Sequence, residues 1–278
     1  MDTVSVSHPY SELDRPPLSE RTLAAALVRP NALWRSLRVV AETGSTNDDL
    51  VAAADGGAPS GTVLVAESQR AGRGRLDRTW VSPPRAGLTF SILLRPDGVE
   101  QPAWGWLPLL VGVALAEAVE ECCGVSARLK WPNDLLVGSP PRKAAGILAQ
   151  ATADAVVVGI GLNVLTRLAE LPPGGVSLIA AGATRADRDS VLRAVLRAIE
   201  RWYVAWQDAA GDAEACGLRE SYRRWCDTLG REVEVTLPAG AALHGTAVDI
   251  DVGGRLIVDD GTGPQALAVG DVTHVRPR

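Results

Sequence analysis

Between residues 39 and 164 the chain alternates short apolar runs with loops that are rich in glycine or charge, and this alternation constrains the fold more than any other feature. Short apolar runs bounded by turn residues are typical of strands that are buried on both faces. Five runs have this character, namely residues 62–67, 88–94, 127–131, 145–150 and 155–160. The region therefore predicts a sheet, with helices lying among its strands.

Cap residues and apolar periodicity predict four helices, over residues 47–54, 104–122, 187–209 and 212–229. Ser45 and Thr46 form a good N-cap pair ahead of the first helix. The second is apolar nearly all round at its start, which predicts burial, whereas the third has amphipathic spacing. Gly230 is the expected C-cap of the fourth helix.

After Gly230 the pattern changes to an alternation of polar and apolar residues. The alternating runs cover residues 231–237, 243–250, 254–258 and 265–269, with glycine-containing turns between them. Four or five short strands of this kind predict a small β-barrel of the SH3 type. We therefore divide the chain into a flexible leader (1–17), a large domain (18–229) and a C-terminal domain (230–278).

Composition and charge limit the classes of protein that fit. The chain has 278 residues, of which 46% are hydrophobic and 22% charged, which is enough for one large and one small domain with a real core. A net charge of −5 disfavours a dedicated nucleic-acid binder, which usually has a basic face. The polar N-terminus lacks the features of a signal peptide, and apolar stretches are interrupted before the roughly 18 residues of a membrane span. We expect a cytoplasmic protein with no nucleic-acid or membrane partner.

The loop that directly follows the apolar run at residues 62–67 concentrates positive charge. Residues 70–78 contain four arginines and two glycines. Glycines let a backbone approach a ligand closely, and Arg73 and Arg75 can clamp carboxylate and phosphate oxygens in forked geometry. The loop suits a site that holds two anions together, and a solvated basic turn is the alternative.

Two further segments place polar side chains at the ends of predicted strands. Asn133 could bind a base or a phosphate, and Asp134 could hold a metal, orient a lysine or accept a proton. The alternative for this pair is an Asx turn. Lys143 opens a strand that is otherwise apolar, so its ammonium group can lie inside a pocket; an exposed strand-end lysine is the alternative.

Glycines also interrupt the last apolar run. Gly159 and Gly161 imply close backbone approach to another group, with a simple bulge as the alternative. Asn163 follows them as a candidate contact to a ribose, base or phosphate. Hydroxyls and amides of the segment 45–47, at a helix start, can grip a neutral polar ring, although an ordinary N-cap has the same residues.

Taken in this order, these segments resemble the biotin–protein ligase family, in the branch that lacks an N-terminal DNA-binding domain. The matching segments are Ser45-Thr46-Asn47, the loop from Gln69 to Arg75, Lys130-Trp-Pro-Asn-Asp134, Arg142-Lys143 with Gly146-Ile147-Leu148, and Gly159-Ile-Gly-Leu-Asn163. The resemblance implies an α+β fold. Its mixed sheet with flanking helices would be similar to class II aminoacyl-tRNA synthetases and would be followed by a small SH3-like β-barrel. Leu76-Asp77 departs from the pattern of some relatives.

The resemblance also implies roles for individual residues. Contacts to biotin are expected from Ser45, Thr46, Asn47, Gln69, Arg73, Gly74, Arg75 and Lys143. Contacts to ATP are expected from Arg75, Lys130, Trp131, Asn133 and Asn163. The expected catalytic residues are Lys143, Arg73 and Arg75, which would neutralise the reacting anions. We add the hypothesis that Asp134 positions or deprotonates the acceptor lysine.

The activity implied is that of an ATP-dependent ligase that forms a carbon–nitrogen bond. It would make biotinyl-5′-AMP from biotin and ATP with Mg²⁺, and would transfer biotin to a lysine of the biotin carboxyl carrier domain of an acyl-CoA carboxylase. Both a monomer and a homodimer are compatible with the sequence. The alternatives are a lipoate ligase or octanoyltransferase, a biotin-sensing repressor, and a pure binding module.

Overall fold

The computed structural model describes residues 15–76, 78–237, 241–268 and 270–275. In these residues the larger sheet has seven strands, which are β1 (Ser36–Val40), β2 (Thr62–Ala66), β3 (Gly87–Leu94), β4 (Ala127–Lys130), β5 (Asp134–Val137), β6 (Arg142–Ala151) and β7 (Val156–Asn163). Their order is β1-β2-β3-β7-β6-β5-β4. Only β1 and β2 run parallel, and the other neighbours are antiparallel, so the sheet is mixed, as the family resemblance implies.

Helices cover both faces of this sheet. The helices in the described part of the chain are α1 (Glu20–Leu27), α2 (Thr46–Asp55), α3 (Trp106–Cys123), α4 (Arg188–Asp208) and α5 (Leu218–Trp225), with short 3₁₀ helices at Gln101–Gly105 and Leu168–Glu170. α2 packs on β3 and β7, whereas α3 packs on β4 to β6 and against α4. The central strands are therefore buried on both sides.

Burial on both sides explains the continuous apolar runs of β3 and β7. Ile92 and Val158 belong to the main core, which includes α3 and α4. Their neighbours Leu93 and Val157 belong to a second cluster with Leu50 of α2. Because successive side chains of a strand point to opposite faces, each strand has to supply apolar residues to both clusters.

The most apolar helix requires a correction to the sequence analysis. In the described part of the chain, one helical stretch, Gln101–Cys123, is long and apolar enough to cross a membrane, with a mean hydropathy of 1.4 over 18 residues. We expected no stretch of that length. However, 67% of that window is buried inside the protein, where α3 packs between the sheet and α4. Burial in the core accounts for its composition, so the stretch is weak support for a membrane span.

The C-terminal strands form a second, antiparallel sheet. They are β8 (Glu232–Thr236), β9 (Ala242–Ile250), β10 (Leu256–Asp259), β11 (Pro264–Leu267) and β12 (Asp271–His274), in the order β11-β10-β9-β8-β12. The Trp106 indole of α3 donates a hydrogen bond to Val252 O at 2.7 Å, and both sheets contribute to one core. The predicted group of C-terminal strands is therefore confirmed as a separate antiparallel sheet that begins at Glu232, and the domain boundary at residue 230 stays a prediction. Residue 269, the end of the last predicted run, lies outside the described residues.

The helix predicted over 212–229 is wrong in its extent. Asp212 Oδ1 accepts hydrogen bonds from two following backbone N–H groups, which makes a separate turn before the helix begins at Leu218. The helix ends at Trp225 because the chain then pairs with the edge of β4, where Asp227 N donates to Leu129 O at 2.7 Å. Gly230 is consequently not a C-cap, since its N–H bonds Ala247 O of β9.

The sequence does not predict β5. This strand is only four residues long and begins at Asp134, which the sequence pattern places just after the end of the preceding strand. It pairs with β4 on one side and β6 on the other. Long-range pairing on both sides stabilises this strand, which is too short to show a recognisable periodicity in the sequence.

The leader predicted over residues 1–17 is partly described. Residues 1–14 lie outside the described residues. Arg15 forms an ion pair with Glu170 at 2.5 Å, and Pro16 O accepts a hydrogen bond from Arg188 at 2.6 Å. These contacts hold Arg15 and Pro16 against the protein, and the flexibility of the leader as a whole stays a prediction.

Candidate active site

A cavity of about 660 Å³ lies on the sheet face that carries α2. α2 covers the strands along its own length. Ahead of its N-terminus, loops cover the strands instead. The walls come from the start of α2, the loop between β2 and β3, the segment 169–175 and the first residue of β12. We call residues 67–86, which join β2 to β3, the ligand loop.

Two glycines of β7 shape the floor of the cavity. A methyl group at Gly159 would lie 2.1 Å from Asn47 Oδ1, and one at Gly161 would lie 2.2 Å from Trp80 Cε2. Both distances are far inside van der Waals contact, so the glycines are needed to admit these two side chains. The predicted close approach is therefore present, and the approaching groups are side chains of the protein itself.

The side chain of Asn47 is fully engaged on this floor. Its amide nitrogen donates to Leu148 O at 3.1 Å and to Gln150 Oε1 at 2.7 Å, and its oxygen accepts from Ser91 Oγ at 2.6 Å. Asn47 thereby ties α2 to β3 and β6. This arrangement assigns it a part in shaping the cavity, and a direct contact with biotin stays a prediction.

The start of α2 presents a polar cluster to the cavity. Ser45 is the N-cap, and its hydroxyl accepts from Asp48 N at 3.4 Å. Thr46 donates its backbone N–H to Gln69 Oε1 at 2.8 Å, and its hydroxyl lies 3.0 Å from the same oxygen. Ser45 and Thr46 are both 3% exposed, so their polar groups lie in a nearly dry wall. The N-cap interpretation is therefore confirmed for Ser45, and contact of this cluster with a polar ring stays a prediction.

The ligand loop folds back on itself as a short hairpin. Arg73 pairs with Thr79 as an isolated bridge, and Trp80 N donates to Gly72 O at 2.9 Å. A methyl group at Gly72 would lie 2.3 Å from Trp80 O, so this turn requires glycine. Asp77, part of the predicted departure from the family pattern, lies outside the described residues.

Arginines of the ligand loop have different partners. Arg75 donates to Asn133 Oδ1 at 3.3 Å and to the carbonyl oxygen of Gly270 at 3.2 Å. Both acceptors are neutral, and among the described residues no carboxylate forms an ion pair with Arg75. Burial lowers the pKa of Arg75, but a guanidinium stays protonated in proteins. Arg73, by contrast, forms an exposed ion pair with Asp48 at 3.1 Å.

A third arginine connects the loop to the C-terminal sheet. Arg78 forms an ion pair with Asp271, the first residue of β12, and the hydrogen bond to that carboxylate raises the pKa of Arg78. Together with the bond from Arg75 to Gly270, this pair holds the loop against the second sheet. The C-terminal sheet therefore forms part of the wall of the cavity.

Lys143 and Asp134 meet inside the cavity. Lys143 Nζ lies 2.6 Å from Asp134 Oδ1, and the lysine side chain passes over Gly146. The carboxylate is the more buried partner, with 18% of its side chain exposed against 40% for the lysine. The structure thus brings together two residues that the sequence analysis treats separately.

Most of the predicted site residues line this one cavity, with two exceptions. Those that line it are Ser45, Thr46, Asn47, Gln69, Arg73, Gly74, Arg75, Asn133, Asp134, Lys143 and Asn163. Lys130 and Trp131 are not among the lining residues. Trp131 is 2% exposed, and its indole donates to Gly254 O of the C-terminal unit at 3.2 Å. Trp131 is therefore a core residue at the contact between the two sheets, and contacts of Lys130 and Trp131 with ATP stay predictions.

Three parts of the site are missing from the sequence analysis. Trp80, the segment 169–175 and Asp271 all line the cavity. Gly161 signals that a bulky group approaches β7, but its spacing does not identify Trp80. The other two are separated from the predicted motifs in the chain, and only the folded structure brings them to the cavity.

Comparison with known proteins agrees with this geometry. Residues 42–164 match the Biotin/lipoate A/B protein ligase family, and residues 228–275 match the Biotin protein ligase C terminal domain. The chain is 41% identical to the biotin–[acetyl-CoA-carboxylase] ligase of Mycobacterium tuberculosis, over 94% of this chain and 97% of that protein. The chain belongs to the biotin–protein ligase family.

Other biotin–protein ligases are also similar. The bifunctional ligase/repressor BirA of Bacillus subtilis is 31% identical, over 84% of this chain and 71% of its own length. The biotin protein ligase of Aquifex aeolicus in complex with biotin and ATP superposes with a TM-score of 0.72 and 29% identity, covering 88% of this chain and 100% of its own. The fold of the biotin–protein ligases is therefore present over most of the chain.

The floor of the cavity can be tested with Gly161→Ala. We expect the added methyl group to displace Trp80, at a cost of about 1–3 kcal/mol in unfolding free energy, which is typical of overpacking. Calorimetry should also show weaker binding of ligands in the cavity. Gly44→Ala is the matched control, because a methyl group there meets no atom within 4 Å. Equal ligand affinity in both variants would contradict the assignment of Trp80 to the cavity wall.

The contact between the loop and the C-terminal sheet can be tested with Asp271→Asn. An ion pair this exposed contributes about 0–1 kcal/mol, so thermal stability should barely change. We expect faster cleavage by trypsin at the loop arginines, because the loop loses an anchor. Glu117→Gln is the control, since it breaks an ion pair with Arg201, which is 62% exposed like Arg78, far from the loop. The same cleavage rate in both variants would show that Asp271 does not hold the loop.

Proposed function

We propose that this chain activates biotin with ATP as biotinyl-5′-AMP and then transfers biotin to a lysine of the biotin carboxyl carrier domain of an acetyl-CoA carboxylase. The observation that carries the proposal is the meeting of Lys143, Asp134 and Arg75 in one cavity beneath a glycine-rich loop. The named activity of the M. tuberculosis relative and the biotin and ATP in the A. aeolicus complex support it.

The first step has to bring two anions together. The carboxylate of biotin attacks the α-phosphate of ATP, and pyrophosphate leaves. Preorganised positive charge offsets their repulsion and stabilises the charge that develops in the transition state. Arg75 offers a charge that is paired with no carboxylate in the described part of the chain, whereas Lys143 has to exchange Asp134 for the substrate. We therefore propose that Arg75 binds the two anions in place, and that Lys143 contacts the reacting oxygen atoms as they move.

Mg²⁺ would enter with the nucleotide. Within the described residues no three metal-ligating side chains cluster, although Asp134, Glu170 and Asp271 each face the cavity. Mg²⁺ commonly binds through substrate phosphates and one or two carboxylates, which fits this donor set. The ion would supply further positive charge to the phosphates.

The second step requires an unprotonated acceptor lysine. When Lys143 moves towards the substrate anions, Asp134 loses its partner and can accept the proton of the incoming ammonium group. The neutral amine then attacks the carbonyl carbon of the adenylate, and AMP leaves. Closure of the ligand loop would exclude water in the meantime, because an acyl-adenylate is easily hydrolysed.

The proposed activity has a direct test. The chain is incubated with ATP, Mg²⁺, biotin and a biotin carboxyl carrier domain, and the carrier is analysed by mass spectrometry. We expect one lysine to gain the mass of biotin less one water. Addition of lipoyl or octanoyl instead would establish the related lipoate chemistry, and no addition would contradict the proposal.

The cytoplasmic location, the oligomeric state and the absence of nucleic-acid or membrane partners stay predictions.

Removal of the cavity lysine should impair the first step. We expect Lys143→Ala to slow pyrophosphate release by about 10²–10³-fold, as the loss of a preorganised electrostatic group does in other enzymes. Arg142→Ala removes the same charge from the exposed neighbouring position and should keep the wild-type rate. Normal pyrophosphate release by the lysine variant would show that Lys143 has no part in adenylate formation.

Asp134→Asn should separate the two steps. We expect transfer from preformed biotinyl-5′-AMP to slow by roughly 10²-fold, because a positioned proton acceptor contributes about that much. Adenylate formation should be less affected, since Lys143 keeps its charge. Normal transfer would exclude the proposed role, and equal losses in both steps would indicate that Asp134 acts only by positioning Lys143.

A further inference from the structure

A buried ion pair lies at the base of the ligand loop, outside the cavity. Arg188, the first residue of α4, donates to Glu67 Oε2 at 2.5 Å and lies 3.4 Å from Oε1. The side chains are 3% and 8% exposed, which makes this pair much more buried than the ion pairs of the loop itself. No step of the proposed reaction uses either residue.

The pair joins four separate pieces of the chain. Glu67 directly follows β2, and its Oε1 accepts from Leu18 N at 2.6 Å. Arg188 also donates to the carbonyl oxygen of Gly87, the first residue of β3, at 3.2 Å and to that of Pro16 at 2.6 Å. Glu67 is the first residue of the ligand loop, and Gly87 directly follows the last one. One guanidinium group therefore holds both ends of the loop to α4.

A buried ion pair is weak support for stability by itself. Desolvation of the two charges offsets much of their attraction, and well-packed apolar residues often stabilise a core at least as well. The forked guanidinium can, however, donate to several acceptors in fixed directions, which no apolar side chain can do. Directional bonds to both ends of one loop set the position from which the loop starts.

That position determines where the substrate-facing residues lie. Gln69 is two residues after Glu67, and it receives the hydrogen bond of Thr46 N at the start of α2. At the other end of the loop, Arg85 N donates to Glu67 O at 2.9 Å. A shift of Glu67 would therefore move Gln69 and change how the hairpin covers the cavity.

We propose that Arg188, acting through Glu67, is a positioning residue that sets the base of the ligand loop so that the closed loop retains the acyl-adenylate until the acceptor lysine arrives. This inference rests on the proposed function. It predicts that disturbing the pair causes loss of the intermediate to water more than it slows the chemistry.

Arg188→Lys is the main test. Lysine keeps the positive charge beside Glu67 but cannot donate in a fork to the carboxylate and both carbonyl oxygens. The ratio of adenylate hydrolysed to carrier biotinylated is measured with ATP, Mg²⁺, biotin and the carrier domain. We expect this ratio to rise about tenfold, within the roughly 100-fold that small displacements of positioning groups can cause. The first-turnover rate of adenylate formation should fall by less than this ratio rises, because neither Arg188 nor Glu67 lines the cavity.

Arg219→Lys is the matched control. Arg219 also pairs with carboxylates, Glu214 and Asp249, and donates to a carbonyl oxygen, that of Ile250 at 2.7 Å. It connects α5 to β9 away from the ligand loop. Both variants are assayed at the same temperature interval below their own Tm, so that a general loss of stability affects them equally.

The outcomes separate the two proposals. If the wild-type chain does not biotinylate the carrier, the proposed function fails. If the wild type is active but Arg188→Lys hydrolyses no more adenylate than Arg219→Lys, the positioning role is excluded and the pair is purely structural. Should Arg188→Lys fail to fold, Glu67→Gln replaces it, because glutamine keeps the shape and one acceptor oxygen, and the same rise is expected. Failure of both to fold, while Arg219→Lys folds, would likewise establish a purely structural role.

Discussion

The close approach of two side chains to glycines of β7 is the constraint on which the cavity depends. Asn47 occupies the space beside Gly159, and the indole of Trp80 occupies the space beside Gly161. Because protein interiors tolerate very little overlap, a methyl group at either glycine would displace one wall. Asn47 also holds the N-terminus of α2 on the sheet, so the polar cluster at the helix start takes its position from the same gap.

Two cationic side chains of the cavity have partners of different charge, and this difference affects how each could bind an anion. Arg75 is bonded to neutral acceptors, whereas Lys143 is in contact with Asp134. In the proposed reaction, an anion at Arg75 would displace no carboxylate that the structure describes, whereas an anion at Lys143 would have to compete with Asp134. Gly270 and Asp271, from the far end of the chain, complete this arrangement. The C-terminal sheet is therefore part of the site and not only an appended unit.

Much of the fold follows from the sequence, and the errors have identifiable causes. Apolar runs predicted the central strands because β3 and β7 supply both cores. The helix over 212–229 was too long because local periodicity contains no information about the edge of β4, which captures the chain after Trp225. Within one motif, Asn133 and Asp134 line the cavity, whereas Trp131 turns into the core. Spacing alone does not separate residues that share a turn but point to opposite sides.

The sequence by itself determined the family, the order of the motifs and the chemical types present: glycines where the backbone is closely approached, and arginines and a lysine where anions would meet. The tertiary structure alone decided which groups face one another. It placed Trp80 over Gly161, paired Lys143 with Asp134, and joined both ends of the ligand loop through Arg188. The physical reason is that residue types and strand alternation are local properties, whereas contacts between distant segments depend on how sheets, helices and loops pack.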